Sequence, residues 1–595
     1  MPTSSVRPYP ELSIPAIALG TVQGVVMTAS FVWIALKLGF GLPGSTVAAI
    51  MGFVVLRGVL RRRSIVENNI NQTVASGINT ASAGVVFTLP ALYLLSVNDP
   101  SLANIPVWPL ATAAVAGSLM GIVLIIPLRK QMVEIERLRF PSGVAVATLL
   151  RSPGEGLSQG MLLITAAVLA AGLTIVANLG FVPEEVDLGH MLGLPVWAPV
   201  ALYVSTANLG AGLLSGRGGL PFLAGGILAY WLVAPAAVML GWVAAPPGLE
   251  ADALDGFYAA ETYGQMLRPL GIGMLIGGAL AGVFAALPAV TGAMKSLQAA
   301  AKQAAEQGVS PEEVSPRFVG AGAVVAFVLL FFAAWLATPE LGVGTALLVA
   351  VVGALWLGLA GIIVAQATGQ TDISPLSGLA LIAVTLMYFL TGGNVTAAIL
   401  IGVAVCIATN QCADMMQDLK TGHLVGSVPR EQQIAQLILC WVGPFVAIGV
   451  LHVLWAAPGD GSPGFGPQSL DCINQTNNCL MAPQADVLRG IIEALRNGDA
   501  AIDKYLGGAV IGGALSIFPI GGVAVLVGLA MYLPFSITLA YGIGCLVSMG
   551  LERSFGASFI GRKLVPFAAG LIVGEALTAL AWNLVVLMKT FSGGA

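Results

Sequence analysis

Apolar runs of about 20 residues recur from one end of this chain to the other, and each matches the thickness of a hydrocarbon core. Eight lie near 12–35, 43–60, 73–97, 106–128, 159–181, 191–213, 220–244 and 264–288. Eight more lie near 318–337, 342–365, 374–391, 394–412, 434–456, 505–528, 529–550 and 564–590. With 57% hydrophobic and 9% charged residues, no water-soluble core can absorb them. Inside lipid every backbone polar group needs a partner from the chain, so the choice is helices or a closed barrel. The short alternating segments of a barrel are absent. The sequence therefore predicts an all-α integral membrane protein with about 16 transmembrane helices.

Charge then orients the spans. Arg57, Arg61, Arg62 and Arg63 mark one loop, Arg129, Lys130, Arg137 and Arg139 a second, Arg217 a third, and Lys295, Lys302 and Arg317 a fourth. The loops between them carry almost no Lys or Arg, which puts the marked loops and the N-terminus in the cytosol. No signal peptide is expected, and the first run should stay as a helix. The domains read as a first repeat over 1–288, a cytosolic linker over 289–317, and a second repeat over 318–595 with an external loop at 457–485. The side of the C-terminus depends on 482–498. That segment carries Asp486, Arg489 and Glu493, which are costly at mid-membrane, so it is either re-entrant or a short buried crossing. The net charge of −4 and the lack of a basic stripe give no sign of nucleic-acid binding.

The two halves share words. Gln72-Thr73 with Ser76 is repeated as Gln370-Thr371 with Ser374, 298 residues on. FPSGVAVATLLRS at 140–152 is echoed by APQADVLRGIIEAL at 482–495, with Pro141 over Pro483. LPFLAGGIL at 220–228 is echoed by VPFAAGLIV at 565–573. Three matches in order predict two tandem parallel repeats, a build common in secondary transporters, with broken or re-entrant helices beside a midplane site. Unwound backbone in lipid needs hydroxyl and amide partners, and a helix N-terminus can face a carboxylate. Asn71, Gln72, Thr73 and Ser76, with Gln370, Thr371, Asp372 and Ser374, are accordingly the candidate substrate-binding residues. The plainer reading makes both stretches membrane-edge caps.

Candidate proton carriers are Glu575, Asp414, Asp418 and Glu67. Glu575 is a lone carboxylate in the last apolar run, and ionisable groups in the membrane are functional candidates. Asp414 and Asp418 are four apart and share a helix face, with Lys420 able to pair with one of them. The competing readings are a carboxylate bonded into the bundle, a solvated helix end, and an interfacial Glu67. Lys420, Pro141 and Pro483 are gating or structural positions. Cys472 and Cys479 bracket a polar loop and are candidates for a disulfide, the alternative being two free thiols. His190, His423 and His452 have no partner at ligand spacing, so no metal site is expected.

Three stretches carry a family resemblance: ENNINQTVASGINTASAGVVFTLPALYL at 67–94, LRFPSGVAVATLL at 138–150, and ADMMQDLKTGHLVGSVPREQQIAQLI at 413–438. The chain resembles the oligopeptide transporter superfamily, which includes the yellow stripe-like metal-chelate transporters, and looks like a prokaryotic member. The resemblance implies about 16 helices, import of small peptides or metal–chelate complexes, and coupling to protons. The expected function is proton-driven import of short oligopeptides by alternating access. The alternative substrate is a metal-chelate or siderophore-like complex, and a channel is the reading from another class. No enzyme chemistry, nucleotide motif or cofactor is expected; the proton gradient supplies the drive. The expected location is the inner (plasma) membrane, and homo-oligomerisation is left open.

Overall fold

A computed structural model describes residues 11–39, 44–62, 64–102, 104–138, 140–151, 156–183, 185–191, 193, 200–243, 257–258, 261–278, 280–281, 284, 313–371, 374, 376–457, 464–466, 480–497, 502–517 and 523–593. The helices that organise it are α1 (Ile14–Leu38), α2 (Gly44–Gly52), α3 (Ile65–Asn79), α4 (Ala81–Asn98), α5 (Val107–Ile125), α6 (Pro141–Leu150) and α7 (Gly156–Asn178). They continue with α8 (Thr206–Ser215), α9 (Leu220–Leu228), α10 (Pro316–Ala337), α11 (Gly342–Thr371), α12 (Leu376–Leu390), α13 (Val395–Val425), α14 (Pro429–Leu439) and α15 (Val442–Trp455). The last five are α16 (Pro483–Asn497), α17 (Ile502–Leu515), α18 (Val523–Tyr532), α19 (Phe535–Phe555) and α20 (Val565–Gly593).

Local chemistry sets the ends. Ser13 caps α1 through Ala16 N, and Gly39 closes it in the left-handed region at φ 76°. Asn394 caps α13 through Ala397 N, and Gly426 closes it at φ 84°. Eleven helices among the described residues are long and apolar enough to cross a membrane, with three shorter apolar ones, Gly44–Val59, Gly378–Leu390 and Val523–Tyr532. The all-α membrane class therefore stands. One small exception is a pair of three-residue antiparallel strands, Glu185–Asp187 and Ala201–Tyr203, with Glu185 opposite Tyr203.

The layering inverts a soluble fold. Val324, Val325 and Leu336 of α10 and Leu355 of α11 point outward, as a lipid-facing surface requires. The interior is where the amides go: Asn68, Asn69, Asn71, Gln72, Thr73 and Ser76 of α3 are all buried. α3 and α4 cross α13 in the middle of the bundle and run antiparallel to it. The ladder steps by four on both sides: Gln72 donates to Asp418, Ser76 to Asp414, and Asn410 to the Thr80 carbonyl. One turn further, a side-chain carbon on Gly84 would lie 2.3 Å from Ile407 Cγ1 and 2.7 Å from its backbone nitrogen. Gly84→Leu should therefore force this crossing apart at a cost of at least about 1–3 kcal/mol. Loss of monodisperse protein in detergent size-exclusion chromatography checks it, and a well-behaved variant would contradict the packing.

α6 and α16 are built alike. Phe140 and Ala482 precede their prolines with φ of 43° and 46°, a region that disfavours non-glycine residues. Each donates its backbone N–H to the far end of a long helix from the other half: Phe140 to Gly369 O at 3.0 Å, Ala482 to Leu36 O at 2.8 Å. α6 lies along the last turns of α13, with Thr421 donating to Gly143 O. α16 lies along α4 and ends where Arg496 meets Asp99. The charges in α16 are tolerated because buried Asp486 is held by Arg268 at 2.8 Å and Arg489 at 2.6 Å. Short elements like these, of 10 and 15 residues, are where a count of 16 full-length spans and the eleven long helices part company.

The matched words do not occupy matched places. Gln72 lies inside α3, whereas Gln370 and Thr371 close α11. The 220–228 stretch is α9, which follows a reversal at Gly216, φ 49°: Gly212 and Gly216 sit over Tyr541 and Ser548, then Gly219 and Gly226 return over Cys545 and Thr538. The 565–573 stretch opens α20, whose Gly570 and Gly574 lie against Leu163 and Ala167 of α7. The parallel relation expected from these words is thus not the one in which α3–α4 and α13 pack.

Candidate functional site

Two buried charged centres stand out in the bundle, and a cavity lies among the helices that carry them. The first is acidic and is built by α2, α3, α13 and α14. Ser76 Oγ donates to Asp414 at 2.7 and 2.8 Å, and Ser45 Oγ lies 2.8 Å from Ser76 Oγ and 3.4 Å from Asp418 Oδ1. Asp418 also accepts from Gln72 Nε2 and, at 3.0 Å, from Gln436 Nε2. Gln432 ties α14 to this centre through Thr73 Oγ1 at 2.8 Å and Asp418 O at 2.9 Å. Asp418 is fully enclosed, while Asp414, Asn410 and Gln417 form the half-buried face of α13. Neither carboxylate touches a cation among the described residues.

The second centre is an ion pair. Lys37 Nζ of α1 lies 3.0 Å from Glu575 Oε1 of α20, with both side chains under a tenth exposed. Ser205 Oγ donates to the same oxygen at 2.7 Å and accepts from Lys37 at 3.3 Å. The other carboxylate oxygen receives Thr206 Oγ1 at 2.9 Å and the Ala207 N–H at 2.8 Å. Glu575 therefore occupies the N-terminus of α8, where exposed N–H groups favour an anion. The Lys37 ammonium sits 4.4 Å from the rings of both Trp33 and Tyr203.

Helices α1, α2, α6 and α20 also enclose a cavity of about 320 Å³. Its walls are Phe31 of α1, Thr46, Val47 and Ile50 of α2, Ser142 and Ala145 of α6, and Ile572 and Val573 of α20, among others. Thr46 follows Ser45 of the acidic centre, and Val573 lies two residues before Glu575. Its wall is mostly apolar, with Thr46 and Ser142 as its hydroxyls, and it shares helices with both centres without being lined by their charged side chains.

The expected residues fall out as follows. Gln72 and Ser76 meet Asp418 and Asp414, and Thr73 meets Gln432 and Gln436, rather than the second copy of their own motif. Asn71 bonds Gln23 Oε1 at 3.1 Å, which ties α3 to α1. Gln370 and Thr371 end α11, Asp372 lies outside the described residues, and Ser374 Oγ bonds Thr368 Oγ1 at 2.6 Å. Glu67 is buried and accepts from Ser13 and Arg62, a tie between the start of α1 and the start of α3. Lys420 makes no ion pair among the described residues, because α6 packs against it at Gly143. Pro141 and Pro483 open α6 and α16. Cys472 and Cys479 lie outside the described residues.

Glu575 is not a lone charge, and this corrects the sequence expectation. Lys37 was missed because it stands at the edge of its apolar run, where a lysine normally reaches for the membrane surface. Ser45, Gln432 and Gln436 were also unmarked, although the two glutamines lie within the 413–438 motif.

Known proteins resemble this chain over most of its length. A Haemophilus influenzae protein named "Putative oligopeptide transporter" is 27% identical, with 95% of this chain and 94% of that protein covered. A rice protein named "Probable metal-nicotianamine transporter YSL17" is 24% identical over 79% of this chain and 72% of its own. A Saccharomyces cerevisiae protein, "Putative oligopeptide transporter YGL114W", is 40% identical over a segment covering 16% of this chain and 14% of its own. The profile of the family described as "OPT oligopeptide transporter protein" matches residues 11–586, and the chain belongs to that family of transporters.

Proposed function

We propose that the chain is a secondary active importer of short oligopeptides, driven by the proton gradient and working by alternating access. The observation that carries this reading is the cavity of about 320 Å³ walled by the short helix α6 and by α1, α2 and α20, the helices that also carry Lys37, Ser45 and Glu575. Such a chamber suits a small substrate at mid-depth, and the carboxylates beside it suit a coupling ion. Asp414 and Asp418 are the better proton carriers, since Lys37 already balances Glu575. The rice relative's name supports a second substrate class, a metal chelate. A chelate brings its own metal donors, so the same chamber serves without a protein metal site.

We also read the chain as two tandem parallel copies of one membrane unit of eight spans, about 16 spans in all. Exchanges between the halves support the duplication: α6 packs on α13 and α16 on α4, and α7 runs parallel to α20 (Gly570 and Gly574 over Leu163 and Ala167) as α17 runs parallel to the earlier residues 270–274 (Gly508 and Gly512 over Leu270 and Met274). The N-terminus lies in the cytosol and the protein in the plasma membrane.

The test is uptake into proteoliposomes with a short-peptide library and an imposed inward proton gradient. Gradient-stimulated accumulation of peptides is expected. Uptake of a metal chelate instead would move the substrate to the second class. Passive flux that never exceeds equilibrium would make the protein a channel and overturn the reading.

A further inference from the structure

A separate cavity of about 220 Å³ lies where α2 gives way to α3. Arg57, Arg62, Ser64 and Asn68 form its polar wall, and Phe53 and Leu56 part of its apolar one. A π-helical turn, Phe53–Val59, continues α2 and carries Arg57. Arg61 then takes φ 55°, and the chain doubles back so that the Arg62 N–H donates to Leu56 O at 2.7 Å. Two guanidiniums therefore reach one pocket from the two arms of a tight reversal. Their charges are not balanced within the chain. Arg62 is paired with Glu67, which also accepts from Ser13. Half-buried Arg57 has no carboxylate within ion-pair distance among the described residues. A guanidinium that lines a cavity and meets no carboxylate calls for an anion from outside the chain.

We propose that this pocket binds a phosphate group, and that the phosphate is the headgroup of an anionic phospholipid in the inner leaflet. Size favours a headgroup: the pocket falls below the roughly 300–1,000 Å³ of sites that enclose a drug-sized ligand. Position favours a lipid. Arg57, Arg61 and Arg62 mark the cytosolic end of the spans by the charge rule. Val59 and Leu60, just past Arg57, are exposed apolar side chains, as is Met161 of α7. α7 packs on the same π-helical turn, with Gly160 against Val54. A basic pocket with apolar surface beside it, at the cytosolic end of a bundle, has the layout of an anionic lipid, with phosphate in the pocket and chains along the helix. Arg57 supplies charge-assisted hydrogen bonds, which its planar fork can make in pairs to phosphate oxygens. Ser64 caps α3 through the Glu67 N–H, and the first turn of that helix adds to the positive field. Neither the transported substrate nor the coupling ion enters this site.

The experiment uses the purified full-length chain in an uncharged detergent. Thermal unfolding is followed in micelles doped with phosphatidylglycerol, phosphatidylcholine or oleate, the last an anion without phosphate. A parallel series compares inorganic phosphate with chloride at equal ionic strength, and native mass spectrometry counts retained lipid. The expected result is a rise of a few degrees with phosphatidylglycerol alone and a single retained molecule, both lost in Arg57→Gln. Arg57→Lys keeps the charge without the fork and should weaken retention severalfold. Arg61→Gln removes the same charge outside the pocket wall and should leave retention unchanged, which separates a built site from the general attraction of a basic loop. If Arg57→Gln does not fold, the wild-type contrast between phosphatidylglycerol, phosphatidylcholine and oleate still decides. Equal stabilisation by oleate or phosphatidylcholine, or equal losses in Arg57→Gln and Arg61→Gln, would overturn the proposal. A rise with inorganic phosphate and no retained lipid would overturn the assignment to a lipid.

Discussion

Glu575→Leu should cost about 3–5 kcal/mol, while Lys37→Met/Glu575→Leu together should recover most of it. The asymmetry follows from what each change leaves behind. Without Glu575, the Lys37 ammonium keeps only neutral partners, Ser205, Tyr203 and the Trp33 face, among the described residues of a fully enclosed site. The N-terminus of α8 also loses the anion that satisfies Thr206 and the Ala207 N–H. Removing both charges and filling the space with apolar side chains takes away the desolvation cost together with the attraction. Lys37→Met alone should be milder, because Glu575 retains three donors and can take up a proton.

The readout is thermal unfolding of the four proteins in one detergent, assembled as a double-mutant cycle. A coupling energy of about 1–3 kcal/mol is expected for groups in direct contact. Coupling near zero would mean that the pair is not formed in the folded membrane protein. Glu575 would then return to being a lone carboxylate and a candidate proton carrier.

Much of this molecule was legible because lipid imposes simple rules. Run length and the absence of alternation gave the helical class, and Pro141 and Pro483 marked two short helices of like construction. The couple Asp414 and Asp418, four residues apart, could be placed on one face from spacing alone. What was not legible is which faces meet. The repeated Gln-Thr-x-x-Ser invites pairing of 72–76 with 370–374, yet a shared word carries no information about adjacency. The partners of Gln72 and Ser76 are set by an antiparallel crossing whose close approach depends on Gly84, and nothing near 72 announces it. Lys37 and Glu575 are 538 residues apart, and each looks ordinary or solitary until α1, α8 and α20 are brought together. The amides of α14 were hidden for a related reason. A Gln-rich turn with two charged neighbours reads as a cytosolic surface, and only the fold turns Gln432 and Gln436 inward.

Asp418→Asn should leave a folded protein that exchanges substrate but no longer concentrates it. The carboxylate is enclosed by Gln72, Gln436 and Ser45, so an isosteric amide preserves the packing. One of the two glutamine donors must then face the new amide nitrogen or lose its acceptor, at a cost of about 1–3 kcal/mol. A bundle of this size should tolerate that. The change removes the group that can alternate between charged and neutral, and coupling needs this alternation. Counterflow (labelled for unlabelled substrate across the vesicle with no gradient) does not need it. Counterflow should persist near wild type, while gradient-driven uptake falls to the level of empty vesicles. Asp414→Asn should behave alike but with a weaker structural penalty, since Asp414 meets hydroxyls, Ser76 and Thr80, and lies at the half-buried face of α13. If both variants keep full gradient stimulation, the acidic centre is a structural tie between α3 and α13. The coupling proton must then be carried elsewhere, and the Lys37–Glu575 pair becomes the group to titrate.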